Sequence, residues 1–502
     1  MLHSFIFKKG FAEVLNKERI KSFILILLIL NSIQLTVQMW FDSNLWPSGY
    51  GFLDQVKHSA FVSTITSFFG DGQDNLSGEQ LYIKTMKPRR IIVNGGGARE
   101  VYLKESEYYN EAMNFVDSIM SDIKSSDVSV AEISYDDWKN MFKTKSLYVD
   151  YGYIMDAENL NKLYGTTGNA GKFKQAYGFS GYVLIPDTLT GTCIVSMLNE
   201  EDNTVVEHRF SSDGTRLLEF IENCTYQKQQ NDAFAFEINL DTSTETEDEV
   251  KRNVAFSPLV LLTIPTEIEK IPTLETKEVF ESAEELDEFS ERALSIFGHN
   301  ASALRKTVQN DGSITFVENN ATIKFHYDGT IEYSAVSKEN GLRVSNGNLG
   351  CYQAICDVLS VAALVWDKAD IDMNMLDFQL ASDLTDNKSN KYSIKIDNIY
   401  NGIAINFPTV CKNAIVAEVE EGYIKKFTIH LSSINAMTQK REVAPVHLAI
   451  DMLYSNYGNR SMIINDVYKC YDFNEDGKAY VKWAFEVRGD EEILVVDSSE
   501  LY

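Results

Sequence analysis

The sequence predicts an α+β protein: one N-terminal transmembrane helix, then a multidomain exported region of antiparallel β-meanders with packed helices. Three observations predict it. Residues 20–40 are an apolar stretch behind a basic segment. Beyond residue 285, a helical pattern followed by alternating strand patterns recurs three times. Hydrophobic content of 44% with 12% aromatics indicates a core-forming chain rather than a disordered one.

The stretch 20–40 has 21 residues, roughly 30 Å as a helix, enough to span the hydrocarbon core. The run 23–30 resembles the apolar part of a secretory signal, but no small-x-small cleavage site follows it, and the first cysteine is Cys193. An uncleaved signal anchor is therefore expected. Lys8, Lys9, Lys17, Arg19 and Lys21 lie before or at the start of the span, whereas among the twenty residues after it Lys57 is the one Lys or Arg. Basic flanks stay in the cytoplasm, so residues 1–19 are expected inside as a short tail and residues from 41 onward outside. Trp40, Phe41 and Trp46 suit the outer interface. No later run resembles a second span, so the protein is expected to be single-pass.

Asn31, Gln34 and Gln38 interrupt the span. At 100° per residue they fall within about a 60° arc of one face. Carboxamides in lipid find partners on a neighbouring helix, with about 0.6–2 kcal/mol per interhelical hydrogen bond. These three residues are therefore the candidate partner-helix contact. The alternative, glutamines lying among outer headgroups, serves Gln38 and Gln34 better than Asn31.

Net charge is −27, and residues 1–22 carry five basic and two acidic groups, leaving about −30 on the exported part. Such a surface repels nucleic acid, which is excluded as a partner. The six cysteines, Cys193, Cys224, Cys351, Cys356, Cys411 and Cys470, contain no CxxC pair and are too sparse for a disulfide framework in so large a chain.

Residues 41–261 are expected to form a first exported α+β domain. Its strand patterns lie at 90–93, 101–103, 181–185, 193–197 and 234–238, and its helical patterns at 108–123 and 214–222. Residues 262–284, with two prolines and many charges, suggest an extended linker into a capped helix. A middle domain, 285–345, follows: a helix at 282–297, then strands at 313–318, 321–327 and 330–336. The C-terminal domain, 346–502, holds two such units. In one, a helix at 351–367 precedes strands at 376–382, 391–396, 402–406, 414–419 and 424–431. In the other, a helix at 445–457 precedes strands at 463–472, 478–487 and 493–496.

Motifs for chemistry are absent. None of the seven histidines stands in HExxH or at close metal-ligand spacing, and no P-loop occurs. Gly95-Gly96-Gly97 leads into a strand pattern rather than a helix, which favours a turn over a phosphate cradle. Asp472-Phe473-Asn474-Glu475-Asp476-Gly477 matches half a calcium loop, but the position of the required glutamate falls on Trp483, and a hairpin turn is expected. No catalytic, cofactor-binding or metal-ligating residue is assigned.

The start of the chain, ERIKSFILILLILNSIQLTVQMW followed by NLWP, resembles the anchor of the YycH family. The segment KYSIKIDNIYNGIAINF…NAIVAEVEEGYIKKFTIHL is similar to a strand pattern shared by YycH and its relative YycI, with Gly402 and the turn Glu421-Gly422 at its hinges. VAPVHLAIDMLYSN…VYKCY…KAYVKWAFEV is similar to the terminal helix-plus-strands unit of those proteins. YycH-family members are membrane-tethered accessory proteins of an essential two-component system governing cell-wall metabolism in low-GC Gram-positive bacteria. The resemblance implies a non-catalytic partner of a membrane sensor histidine kinase, contacted in part through the transmembrane helix, with a YycI-like companion protein as a further partner. It implies no cofactor. An anchored exported cell-wall enzyme and a ligand-sensing module are the alternatives.

Overall fold

Alternation across the pleat organises the first half of the chain. The computed structural model describes residues 78–497 apart from short internal stretches, the longest being 241–252. Seven strands make one antiparallel sheet: β1 (Arg90–Gly95), β2 (Arg99–Leu103), β3 (Ser129–Ile133), β4 (Lys145–Met155), β5 (Phe179–Asp187), β6 (Thr192–Leu198) and β7 (Val205–Ser211). Their spatial order is β2-β1-β4-β5-β6-β7-β3. Gly95–Ala98 closes the β1–β2 hairpin, where a turn is expected, with the Gly95 N–H donating to the Ala98 carbonyl at 2.8 Å.

Successive residues of these strands face opposite sides. Ile91, Val93, Leu147, Val149 and Leu184 share one core with two amphipathic helices, α2 (Tyr109–Ser121) and α5 (Gly214–Thr225), through Val116, Ile119, Leu217 and Ile221. Each such aliphatic side chain contributes about 1.5–3 kcal/mol when fully buried. Ile92, Tyr148 and Val183 point the other way, onto Trp138 and Phe142 at α3 (Tyr135–Met141). The short helices start on side-chain caps: Ser134 accepts from the Asp137 N–H at α3, and Asp156 from the Asn159 N–H at α4 (Ala157–Leu163). The remaining helix of this half, α1 (Gly78–Thr85), precedes the sheet.

A two-stranded ribbon, β8 (Asp232–Phe234) with β10 (Leu261–Thr263), covers the second face through Phe234 and Leu261. The strand expected at 234–238 is thus only its first residue. Ala235–Glu237 turns as a 3-10 helix because the Glu237 carboxylate folds back to accept from the Phe234 N–H at 2.8 Å.

The second half builds one mixed sheet of sixteen strands. Its strands are β9 (Val254–Phe256), β11 (Glu269–Lys277), β12 (Arg305–Val308), β13 (Ile314–Val317), β14 (Ala321–Phe325), β15 (Thr330–Ala335), β16 (Leu342–Arg343), β17 (Asp377–Asp386), β18 (Lys391–Tyr400), β19 (Ile403–Asn406), β20 (Ile415–Glu420), β21 (Tyr423–His430), β22 (Ser433–Val443), β23 (Met462–Phe473), β24 (Lys478–Val487) and β25 (Ile493–Val496). The main path runs β12-β13-β14-β15-β21-β20-β18-β19-β23-β24-β11-β22. Pairing is antiparallel except where β19 and β9 each meet β23.

The three helix-plus-strands units begin with α6 (Ala283–Ala293), α7 (Cys351–Lys368) and α8 (Val446–Tyr457), which brings the α-helices among the described residues to eight. Their strands are hydrogen-bonded into one sheet: β15 pairs with β21 across the expected boundary at 345. Within 262–284, expected as a linker, β11 pairs with β22 and β24, and the register shifts next to Pro272, whose missing N–H is tolerated at that irregularity. Asn401-Gly402 and Glu421-Gly422, all with positive φ, are two-residue turns joining β18 to β19 and β20 to β21. A Cβ on Gly402 would lie 2.2 Å from the Lys104 carbonyl oxygen, so the close approach of β2 also demands glycine there.

Helix α7 is apolar nearly all round and buried against α1, α4 and α6. Among the described residues no helix is long and apolar enough to cross a membrane. The segment 20–40 lies outside the described residues.

Candidate functional site

On its second face the first sheet approaches β23 and β24, and a cleft of about 340 Å³ lies between them. Two register pairs set its chemistry. Arg90 stands opposite Asp150 across β1–β4, and Asp466 stands opposite Glu486 across β23–β24. The strap Ser257–Leu259, running from β9 to β10, closes one side: the Ser257 N–H donates to the Ile464 carbonyl at 2.7 Å.

Two adjacent arginines join the sheets. Arg90 Nε donates to Asp150 Oδ2 at 2.5 Å, and its terminal nitrogen lies 3.5 Å from Asp466 Oδ1. Arg89 donates to Asp150 Oδ2 at 3.3 Å and is ion-paired with Asp466 Oδ2. The second Asp150 oxygen accepts from the Gly152 N–H at 2.9 Å. Gly152 has φ +75°, and a Cβ there would meet the Arg89 guanidinium at 2.8 Å. Burial opposes ionisation of Asp150, yet Arg90 and Arg89 outweigh it and hold the carboxyl below its usual range. Burial also opposes the Arg89 charge, but Asp466 and Asp150 outweigh it.

The other carboxylates behave oppositely. Glu486 is exposed at the edge of the cleft, where partial desolvation by the surrounding protein, then the Asp466 charge, push it up to about 7 against the pull of Arg89. Glu200, exposed just after β6, is also raised by partial desolvation although Ser180 hydrogen-bonds it. Asp397 on β18 is pushed up to about 6 by burial, with Asn413 donating to it at 2.5 Å. Arg488 is held at the rim, donating to Asn465 Oδ1 and Ser257 Oγ at 3.0 Å each. Tyr135, Tyr148, Tyr153, Ile154 and Leu259 supply the less polar walls.

A larger, open groove of about 890 Å³ involves Asp122, Ser126, Arg209 and Asp213. Its charges serve local structure: Asp213 caps α5, Asp122 accepts from Ser212 at 2.7 Å, and Arg209 pairs with Asp187 at 2.5 Å. His430 is held between Thr330 Oγ1 (3.0 Å) and the Phe407 ring, and burial pushes its pKa down to about 4. At Asp472 to Gly477, the Asn474 N–H donates to the Lys478 carbonyl, and Asp472 accepts from Lys482 at 2.8 Å, as a β23–β24 hairpin requires. Among the described residues, no three His, Cys, Asp or Glu side chains are grouped to hold a metal. Cys193, Cys351, Cys356 and Cys470 are buried and Cys224 half-buried.

Asn31, Gln34 and Gln38 lie outside the described residues. The cleft residues were not singled out from the sequence. Their signal was a charge inside an apolar strand pattern, as in Tyr148-Val149-Asp150-Tyr151 and Ile464-Asn465-Asp466-Val467. Their partners, however, stand 60 and 376 positions away.

No family model and no curated protein matches the sequence. Among solved structures, an uncharacterized protein from Eubacterium rectale (11% identity, 49% of this chain and 87% of that one, TM-score 0.32) and the C-terminal domain of Bacillus megaterium YpeB (11%, 44% and 99%, TM-score 0.24) are too distant to carry an argument. YycH from Bacillus subtilis aligns over 83% of this chain and 97% of its own, at 13% identity and a TM-score of 0.53. The chain has a YycH-like fold.

Proposed function

We propose that the protein is a membrane-anchored, extracytoplasmic regulator that associates with a two-component sensor histidine kinase and adjusts its output in cell-wall homeostasis. The observation that carries this reading is the YycH-like fold over 83% of the chain, in a sequence whose first forty residues already resemble that family's anchor. The cleft is consistent with a non-catalytic role, since its arginines are committed to Asp150 and Asp466 rather than aimed at a substrate. In this reading the helix at 20–40 packs differently against two kinase states and shifts their populations by the difference in contact energy. Asn31, Gln34 and Gln38 form the contact face, and a YycI-like companion shares the assembly.

Affinity capture of the full-length protein from its native membrane, with and without residues 1–40, tests the association. Replacing Asn31, Gln34 and Gln38 together by leucine retains membrane insertion and weakens co-purification of the kinase. Undiminished co-purification of the triple variant rules out that face. A ligand-sensing module is the second reading, favoured by the 340 Å³ cleft itself.

A further inference from the structure

We propose that the free edge of β3, together with the groove at its start, docks an extended, basic segment of a partner polypeptide, which adds a strand to the first sheet. β3 (Ser129–Ile133) ends the seven-strand order, and among the described residues β7 is its one strand partner. Its outer row of backbone N–H and C=O groups is therefore left without a strand to bond. Ser129, Val130, Ala131 and Glu132 are all exposed, although successive residues point to opposite faces. Both faces thus leave room for an added strand. The other strands that end a sheet order are blunted. β12 carries Arg305 and Lys306, β22 carries Lys440 and Arg441, and β2 is closely approached at Leu103 and Lys104 by the Asn401-Gly402 turn. Charged side chains, lysine above all, and covering loops keep such edges from pairing. The β3 sequence, Ser-Val-Ala-Glu-Ile, has one glutamate and no cation. That edge admits a strand carrying positive charge.

Charge selects the occupant. The chain enters β3 along the open groove of about 890 Å³, whose lining holds Asp122, Asp127 and Asp213 against Arg209. Arg209 is paired with Asp187 and Glu207, and Lys172 donates to the Ser126 carbonyl at 2.8 Å. With Lys124 counted too, the carboxylates Asp122, Asp127, Glu132, Asp187, Glu207 and Asp213 outnumber the cations around the edge. An extended chain bearing lysine or arginine is drawn to that field. Lying along β3, it carries alternate side chains past the groove. Main-chain hydrogen bonds to the edge supply affinity in such strand addition, and the groove supplies selection for the basic side chain. A second copy of this chain would bring the same acidic edge and a net charge of −27, which disfavours a β3–β3 pair.

The proposal stands on the first sheet and not on the regulatory reading, and its test uses no kinase. The full-length protein in nonionic detergent is titrated with fluorescein-labelled Lys-Val-Lys-Val-Lys-Val-Lys, and binding is followed by anisotropy. A second peptide has glutamate in place of every lysine, and a third has proline in place of two valines, which keeps the charge and forbids strand pairing. The lysine peptide binds about tenfold or more tightly than either. Its binding slows hydrogen exchange at the amides of 129–133. Asp127→Lys with Glu132→Lys weakens binding about tenfold while the melting temperature is retained. A lysine peptide that does not bind, or a glutamate peptide that binds as tightly, overturns the site. Equal binding of the proline peptide, with exchange in β3 unchanged, means charge attraction without strand addition and overturns it as well. Exchange at 129–133 that slows with protein concentration alone, as light scattering shows a dimer, gives the edge to a second copy and also overturns the proposal.

Discussion

Arg90 begins β1 and Arg99 begins β2, so one hairpin carries a buried arginine on each strand, and each meets carboxylates from distant parts of the chain. Around Arg99 every donor is used. Nε donates to Asn94 Oδ1 at 2.6 Å, one terminal nitrogen to the Asp232 carbonyl and Glu237 Oε2 at 2.8 Å each, and the other to Glu237 Oε1 at 3.0 Å and the Phe142 carbonyl at 3.4 Å. The guanidinium lies 4.5 Å from the Phe234 ring centroid, and its side chain is 3% exposed. One cation meets one carboxylate in a closed box that fastens the β8–β10 ribbon to the sheet. Around Arg89 and Arg90 two cations share two carboxylates, but the Arg89 Nε has no acceptor and a cleft opens beside them. Complete satisfaction marks a structural fastening. An incomplete one at the edge of a cleft leaves its ion pairs closer to solvent and worth less.

The largest expected effect is at the closed box. Glu237→Ala leaves the Arg99 guanidinium buried without its counter-charge and removes the acceptor of the Phe234 N–H. Stripping one partner from a buried pair costs about 3–5 kcal/mol. Urea unfolding reads this as a lower midpoint with an unchanged slope. A loss below about 1 kcal/mol would mean that the box is open to water and the contrast between the two sites is false.

Asp466→Asn is expected to cost less, about 1–2 kcal/mol in the same measurement. Asp150 still holds both arginines, and Glu486, directly opposite Asp466, is on hand to replace the lost charge. Removing the Asp466 charge also removes a repulsion, so the Glu486 pKa falls from about 7 toward the ordinary carboxylate range. An NMR titration of the Glu486 carboxyl follows that fall. A cost equal to that of Glu237→Ala would make the cleft a second fastening.

Much of the fold was legible because it is local. The Asn401-Gly402 and Glu421-Gly422 turns announce their hairpins, and β25 and α7 follow from alternation and from an unbroken apolar run. Strand β4 was missed because it is buried on both faces over most of its length, so its pattern does not alternate. Strand β11 reads as a linker in the sequence because Pro272 and its charges look like extended coil until β22 pairs with it. The cleft was invisible for a different reason. Arg90, Asp150 and Asp466 are ordinary surface residue types, and only long-range sheet pairing brings them together.

The smallest effect separates the two sites most cleanly, because its sign is unusual. Glu486 has a folded-state pKa of about 7, above the ordinary 4.5 of a glutamate. A raised carboxyl contributes stability that is fully present below about pH 4.5 and is lost as pH rises through about 7. Glu486→Gln removes that loss. The Glu486 side chain is exposed and solvent screens the effect, so the variant is expected to melt at or slightly above the parent at pH 8.5, with the difference shrinking to nothing by about pH 4.5. Comparing variant with parent cancels the other groups of raised pKa, Glu200 and Asp397. Glu237→Ala is expected to be destabilised across the same pH range, since it strips the partner of a buried guanidinium. If Glu486→Gln also melts lower at every pH, Glu486 is a structural partner like Glu237, and the cleft has no charge to spare.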